Sequence, residues 1–310
     1  MTRPSIHLAT PNDFRAIARF IEEHNQIPAA QCIQINIGES EESLLVELEK
    51  LHEAGEITFM LSLEKERVTG VMGCNFVESE GRGWLRGPLI TTPARTDSSS
   101  DDNFTTSLSI WPSLAGELYN TLMPAIPATI RVVDAFLNVE NTRGQAFYEA
   151  QGFWVRGQHH VYVAKRPDPA RTPPIVCPPM QSDQGEAVAA LHNTVFPNTR
   201  TGHGLLSELD DDHRVWVHAL DGEVQGYVFA GIEPWTDCGY VEFLGVREDA
   251  RGRRVGGALL ATALEWCFTE RGMPEMGLTV EDGNVNARGL YEQSGFQLKY
   301  SGVNQRWERK

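Results

Sequence analysis

Residues 244–260 read LGVREDARGRRVGGALL, and no other segment carries as much information about the fold. Its apolar start predicts a strand that ends near Val246, and an Arg/Gly loop then leads into a helix over Arg254–Arg271, which Gly272 stops. A second β-rich run, Glu275–Val280, follows the helix. A helix between two such strands implies a right-handed parallel crossover, so this part of the chain contains a parallel strand pair.

The loop concentrates positive charge in an acidic chain. The 310 residues include 42 Asp and Glu against 27 Lys and Arg, which gives a net charge of −15. Four arginines nevertheless fall within eight residues, beside three glycines: Arg247, Arg251, Arg253 and Arg254, with Gly252, Gly256 and Gly257. Free N–H groups and the helix dipole favour an anion at such a helix start, and a diphosphate suits it. The alternative is a solvated turn whose arginines pair with Glu248 and Asp249.

The rest of the second half also alternates helices and strands. An Asp221-Gly222 turn between two β-rich runs predicts a hairpin, and the crossover adds the parallel pair, so the sheet is mixed. The predicted elements of this half are a helix at Asp183–Phe196, strands at Val215–Leu220, Val224–Ile232 and Gly239–Val246, the crossover helix, a strand at Glu275–Val280, a helix at Asn284–Ser294 and closing strands over Phe296–Trp307. The fold class is α/β.

The chain contains an internal repeat. Residues 141–153 read NTRGQAFYEAQGF, and residues 284–296 read NVNARGLYEQSGF, 143 positions later. An earlier landmark recurs at an offset of 156, so the first half holds an insertion, which we assign to an exposed polar loop at 96–103. A proline-rich stretch near the midpoint reads as a connector. The sequence therefore predicts two duplicated domains, 1–166 and 174–310, with a linker at 167–173.

Two motifs resemble those of the GNAT superfamily of N-acetyltransferases. Residues 244–260 resemble its motif A, with the signature R/Q-x-x-G-x-G/A, and residues 284–296 resemble the motif that follows. The resemblance implies two tandem GNAT-like domains, each a mixed, mostly antiparallel sheet with splayed central strands flanked by helices. Arg254 departs from the signature, because it stands where a glycine is usual. We expect its backbone to accept a side chain there, and the added cation to suit a diphosphate.

The resemblance also implies acetyl-CoA as the cofactor and assigns a site to the second domain. Tyr291 would protonate the departing thiolate. The cofactor would be held by Leu244, Gly245, Val246, Arg251, Gly252, Arg253, Arg254, Val255, Gly256, Gly257, Asn284 and Tyr291.

The acceptor amine must lose a proton, and the sequence offers a candidate base. Deprotonating an alkylamine at pH 7 costs roughly 4.6 kcal/mol, against about 1 kcal/mol for an α-amine. Glu242 is our first candidate, because strand alternation would place it on the same face as Leu244 and Val246. The alternatives are Glu281, Glu233, Tyr240 or no dedicated carboxylate. His203 and His213 are expected to be exposed loop residues, and the loops 197–212 and 233–238 to form the acceptor pocket.

The first domain keeps Asn141 and Tyr148 but lacks the Arg/Gly loop. Asp97, Asp101 and Asp102 would repel a diphosphate at the corresponding place. We therefore expect this domain to be degenerate, to bind acetyl-CoA poorly or not at all, and to shape or cover the acceptor site.

The composition of the chain favours some classes of binding partner and disfavours others. The net charge of −15 opposes nucleic-acid binding and mildly favours a cationic acceptor. The five scattered cysteines, with no C-x-x-C, predict buried or inert thiols and no metal site. Without a signal-like apolar stretch we expect a cytoplasmic protein that does not bind membranes. A monomer is expected, with a dimer as the alternative. The rival function is a non-catalytic acyl-CoA-binding or sensing protein.

Overall fold

A computed structural model describes residues 5–32, 40–91, 102–166, 177–197, 199–232 and 238–309, with only the backbone considered over 102–109. The chain divides into two compact units. Unit 1 consists of Met1–Gln158 together with Ser301–Lys310, and unit 2 of His159–Tyr300.

Unit 1 is a mixed sheet in the order β1-β2-β3-β4-β5-β11, packed against helices. Only the β4–β5 pair is parallel among its described strand pairs. Its elements are β1 (Ser5–Leu8), α1 (Phe14–Asn25), α2 (Glu41–Glu53), β2 (Ile57–Glu64), β3 (Arg67–Val77), β4 (Arg82–Ile90), α3 (Asp102–Leu122), β5 (Val132–Asn138) and α4 (Thr142–Ala150), completed by β11 (Gln297–Glu308).

Unit 2 repeats this plan with the strand order β6-β10-β9-β8-β7. Here β9 and β10 are parallel, while the other described pairs are antiparallel. Its elements are β6 (Trp154–Lys165), which begins in unit 1, then α5 (Gly185–Val195), α6 (Gly202–Leu206), β7 (His213–Leu220), β8 (Glu223–Ile232), β9 (Cys238–Val246), α7 (Val255–Glu265), β10 (Glu275–Glu281) and α8 (Val285–Gln293). A π-helical turn, Trp266–Glu270, continues α7.

Each face of the unit 2 sheet buries its own apolar cluster. Leu259 and Leu260 of α7 pack on one face with Tyr162 and Ala164 of β6. Val188 of α5 packs on the other face, with the ring of Phe229. The β7–β8 hairpin turns at Asp221-Gly222, both in the left-handed region, as the sequence predicts.

The last strand of each sequence half completes the sheet of the other. Residues 159–165 of β6 pair with β10 of unit 2, although they precede the predicted linker. The predicted closing strands of the second half are instead the single strand β11, which pairs with β5 of unit 1 over Gly302–Glu308. The compact units therefore follow the strand pairing and not the boundaries of the sequence repeat. Our domain boundaries at 166 and 174 stay a prediction from the sequence.

Most of the two predicted connecting segments lies outside the described residues. This applies to the linker at 167–173 and to 96–101 of the insertion loop, whereas Asp102 and Asn103 begin α3. Four cysteines are buried and Cys238 is half-buried, and the described residues contain no disulfide. Among the described helices, we find none with the length and apolar character needed to cross a bilayer.

Candidate functional site

The parallel strands of unit 2 separate part-way along their length. β9 and β10 pair from Cys238↔Glu275 to Val241↔Leu278, and the pairing then stops. Residues 242–246 of β9 continue along β8 on one edge only. The edge of Leu244, Gly245 and Val246 that faces away from β8 therefore borders a gap between the strands, which gives the splay expected from the sequence.

The Arg/Gly loop lies where β9 ends and α7 begins. Arg251, Gly252, Arg253 and Arg254 are exposed. No described residue forms a hydrogen bond or ion pair with the guanidinium groups of Arg251, Arg253 or Arg254. Arg247, in contrast, is bound by Glu223 at 2.9 Å and by Asp249 at 2.7 Å. Three of the four predicted cations are thus available to an anion, and the surface ion-pair interpretation applies to Arg247 alone.

The start of α7 also lacks a side-chain cap. Its N-cap residue, Arg254, makes no capping hydrogen bond, so the amides of Val255, Gly256 and Gly257 keep the free donors of a first helical turn. Arg254 has φ 65° and ψ 11°, the left-handed conformation that glycine adopts most easily. Arg254 thus adopts the backbone conformation that the usual glycine would take, and the uncapped amides beside it fit a diphosphate.

Helix α8 packs beside this turn and carries Asn284 and Tyr291. A Cβ at Gly256 would lie 3.0 Å from Cδ2 of Leu290, so the glycine lets α7 and α8 approach closely. Asn284 is exposed and caps α8 by accepting from the Ala287 amide at 3.2 Å. Tyr291 is 9% exposed, and its hydroxyl has no hydrogen-bond partner among the described residues. Burial raises the pKa of Tyr291 to about 12, so this hydroxyl stays protonated at neutral pH.

The expected alternation of Glu242 with Leu244 and Val246 is wrong. The register shifts between the pairs Ala230↔Val241 and Phe229↔Phe243, so Glu242 is an extra, bulged residue of β9. Leu244 and Val246 pack toward α7, whereas Phe243 packs on the α5 face. Glu242 shares that second face, because it pairs with Arg200, whose guanidinium lies 5.2 Å from the Phe243 ring centroid.

Arg200 is a site residue that the sequence pattern does not single out. It lies in the loop assigned to the acceptor pocket and binds both Glu242 and, at 2.6 Å, Glu208. His192 holds its backbone, with Nε2 2.9 Å from the Arg200 carbonyl oxygen. Burial lowers the pKa of His192, which favours the neutral ring. The result is a half-buried group of one cation and two carboxylates on the face opposite α7.

The other proposed bases have different surroundings. The Tyr240 hydroxyl donates to Thr279 at 2.6 Å, and the Glu281 side chain is 79% exposed. Glu233 lies outside the described residues. His203 is exposed as expected, but on α6 rather than in a loop. The expectation for His213 is wrong, because it begins β7, stacks on Phe229 and lies 2.9 Å from Asp210.

Strand β6 contacts α8, although the two elements lie in different halves of the sequence repeat. Tyr162 of β6 donates to Glu292 at 2.8 Å, and its ring centroid lies 6.4 Å from that of Tyr291. His160 lies 2.8 Å from Asp282, which also binds Arg288 at 3.2 Å. Since β6 precedes the predicted linker, sequence reasoning could not assign these residues to the second domain.

Comparison with known proteins identifies the segment that contains these elements. Residues 185–296 match the model of the Acetyltransferase (GNAT) family. A comparison with curated proteins finds no match.

Solved structures extend the similarity to the whole fold. A GCN5-related N-acetyltransferase from Sphaerobacter thermophilus is 20% identical and covers 99% of this chain and 96% of its own, with a TM-score of 0.67. A tandem GNAT protein from the clavulanic acid biosynthesis pathway is 12% identical. The match covers 99% of this chain and 98% of that protein, with a TM-score of 0.60. A putative acetyltransferase from Pyrococcus horikoshii is 13% identical. The match covers 100% of this chain and 91% of that protein, with a TM-score of 0.54. At these identities the likeness establishes the fold: two GNAT-like units with splayed sheets, as the sequence predicts.

Proposed function

We propose that unit 2 transfers an acetyl group from acetyl-CoA to a primary amine of a small molecule or peptide, because residues 185–296 match the model of the GNAT acetyltransferase family. One observation carries the proposal: within the described part of the chain, arginines without a hydrogen-bond or ion-pair partner and uncapped helix amides follow the end of β9, where it has separated from β10, and the adjacent helix α8 carries a tyrosine hydroxyl without a hydrogen-bond partner.

We assign the residues of unit 2 the following roles. The free amides of the first α7 turn and the side chains of Arg251, Arg253 and Arg254 would hold the diphosphate, since charge-assisted contacts at a helix start favour it. The β9 edge at Leu244, Gly245 and Val246 would orient the pantetheine arm, with Asn284 on the opposite side. Acetyl-CoA supplies an activated acyl group, whose thioester carbon accepts the amine nitrogen while the C–S bond breaks.

Two groups would move protons in this reaction. Tyr291 is protonated at neutral pH and would donate its hydroxyl proton to the departing sulfur. We propose Glu242, on the opposite face, as the group that takes the proton from the amine, after the amine displaces Arg200 from the carboxylate. An alkylamine needs this base more than an α-amine does, because its deprotonation at pH 7 costs more.

Thiol release tests the function. The full chain is incubated with acetyl-CoA and a panel of alkylamines and α-amines, while free CoA thiol is followed. We expect release that depends on an amine. Binding of acetyl-CoA without turnover on any amine would favour the sensing alternative.

A pair of arginine variants tests the cofactor site. Arg251→Ala combined with Arg253→Ala should weaken acetyl-CoA binding by about 10- to 100-fold, because two exposed charge-assisted contacts are lost. Calorimetry measures the change. Arg247→Ala is the matched control from the same loop, and it should have a much smaller effect because Glu223 and Asp249 already bind that side chain. Equal losses would contradict the assignment.

A glutamine substitution tests the base. Glu242→Gln should lower kcat/KM for an alkylamine by about 10²-fold near pH 7, and the deficit should shrink as pH approaches the amine pKa, where the acceptor loses its own proton. Glu208→Gln removes the other carboxylate partner of Arg200 and serves as the control. If both variants lose activity equally at every pH, Glu242 only positions Arg200.

A further inference from the structure

The corresponding gap in unit 1 is filled by the chain itself. β4 and β5 pair in parallel from Arg82↔Val132 to Leu85↔Ala135 and then separate, as β9 and β10 do. Cys32 forms an antiparallel bridge with Leu137, beyond the last β4–β5 pair. β11 pairs with the opposite edge of Leu137, so Cys32 lies on the edge that faces the gap.

Side-chain and main-chain contacts tie this segment to both walls. The Cys32 thiol lies 3.6 Å from the Leu85 carbonyl oxygen on β4 and 3.7 Å from that of Phe136 on β5. The Gln31 carbonyl oxygen accepts from the Asn138 amide at 3.2 Å. Gln31 and Cys32 are 2% and 0% exposed, so the segment is a buried part of unit 1 rather than a surface loop.

Of the two motif residues that unit 1 shares with unit 2, Asn141 bonds to this buried segment and Tyr148 bonds to β4. Asn141, the counterpart of Asn284, is buried, and its side-chain amide donates to the Gln31 carbonyl oxygen at 3.2 Å. Tyr148, the counterpart of Tyr291, is 0% exposed and donates to the Gly87 carbonyl oxygen of β4 at 2.6 Å. In unit 2 the Tyr291 hydroxyl has no partner among the described residues, and Asn284 caps only its own helix.

We infer that Gln31 and Cys32 take the place of a pantetheine arm in unit 1, so the chain takes up a single acyl-CoA, in unit 2. Asn141 and Tyr148 then stabilise the fold where Asn284 and Tyr291 serve the ligand. The inference rests on the proposed function in one respect, because it takes the open gap of unit 2 to be the cofactor cleft.

Calorimetry with acetyl-CoA on the full chain tests the stoichiometry. We expect one molecule bound per chain, and two would overturn the inference. The charge-reversed double variant Arg251→Glu and Arg253→Glu should lower binding by at least about 100-fold, because two repulsive charges replace two attractive ones at exposed positions. A remaining site of near wild-type affinity in this variant would place acetyl-CoA in unit 1 and overturn the inference.

Matched tyrosine variants test the closure without relying on acetyl-CoA binding. Tyr148→Phe should lower Tm by roughly 2–5 °C, because a buried hydrogen bond is lost and Gly87 keeps an unpaired carbonyl, while kcat and KM stay unchanged. Tyr291→Phe should lower kcat with Tm unchanged. An unchanged Tm for Tyr148→Phe would overturn the inference that Tyr148 stabilises the closed fold of unit 1. No acetyl-CoA binding by the wild-type chain would instead overturn the proposed function, and the Tm comparison would still decide the closure.

Discussion

A fragment spanning residues 174–310 is expected to remain unfolded, whereas a fragment spanning residues 154–300 folds and binds acetyl-CoA. The first fragment lacks β6, which pairs with β10 along seven residues, Glu275–Glu281. It also lacks Tyr162 and Ala164, which are 1% and 3% exposed in the core of unit 2. Their apolar burial and the lost ladder together amount to several kcal/mol, comparable with the whole stability of a small domain.

Circular dichroism and calorimetry on the two fragments measure this difference. Fragment 174–310 follows the repeat boundary in the sequence, whereas fragment 154–300 follows the strands of unit 2. The two fragments are similar in length, so a difference in folding would not come from size. The fragment 154–300 omits residues 301–308 of β11, which belong to unit 1. A cooperative thermal transition in fragment 174–310, with acetyl-CoA binding, would show that β6 is dispensable.

Replacing Tyr291 with phenylalanine is expected to lower kcat by about 10²-fold or more, the usual contribution of a positioned general acid. The ring stays in place, because its neighbours Tyr162 and Phe296 contact it through ring faces and edges. Binding of acetyl-CoA should therefore change little, so the loss appears in kcat rather than in KM.

The pH dependence provides a second readout for Tyr291. Since burial raises its pKa to about 12, the donating form is present at neutral pH and is lost only as pH rises toward that value. The wild-type chain should therefore show no alkaline fall from this group below about pH 11. Single-turnover release of free thiol at pH 7–10 measures both effects. An unchanged kcat would mean that solvent protonates the sulfur.

The sequence predicts those parts of the site that depend on local patterns. Residues 244–260 and 284–296 carry strand, loop and helix signals that are local, so the strand end at Val246, the arginine-rich turn before α7 and Tyr291 on α8 could be predicted. The face of Glu242 could not, because a single bulge reverses the alternation, and bulges depend on the pairing partner.

Long-range pairing accounts for the other differences. Nothing local to β6 or β11 indicates which sheet accepts each strand, because both are ordinary β-rich runs beside a turn. The segment Gln31–Cys32 likewise carries no sequence signal for a position between β4 and β5, since its contacts are with residues far along the chain. The acidic loop predicted weak cofactor binding by the first half, but the closure of its cleft depends on these contacts.

The pairing of β11 with β5 has a consequence for biosynthesis. Asn138 of β5 pairs with Gly302 of β11, which is synthesised about 160 residues later, so this edge of the first sheet stays unpaired until then. At translation rates of about 5–20 residues per second the delay is roughly 10–30 s. During that time the nascent chain exposes an open strand edge, which invites association with other chains. Ribosome stalling or a premature stop codon before β11 should therefore yield aggregation-prone, chaperone-dependent products, even though all the other strands of the first sheet have been made.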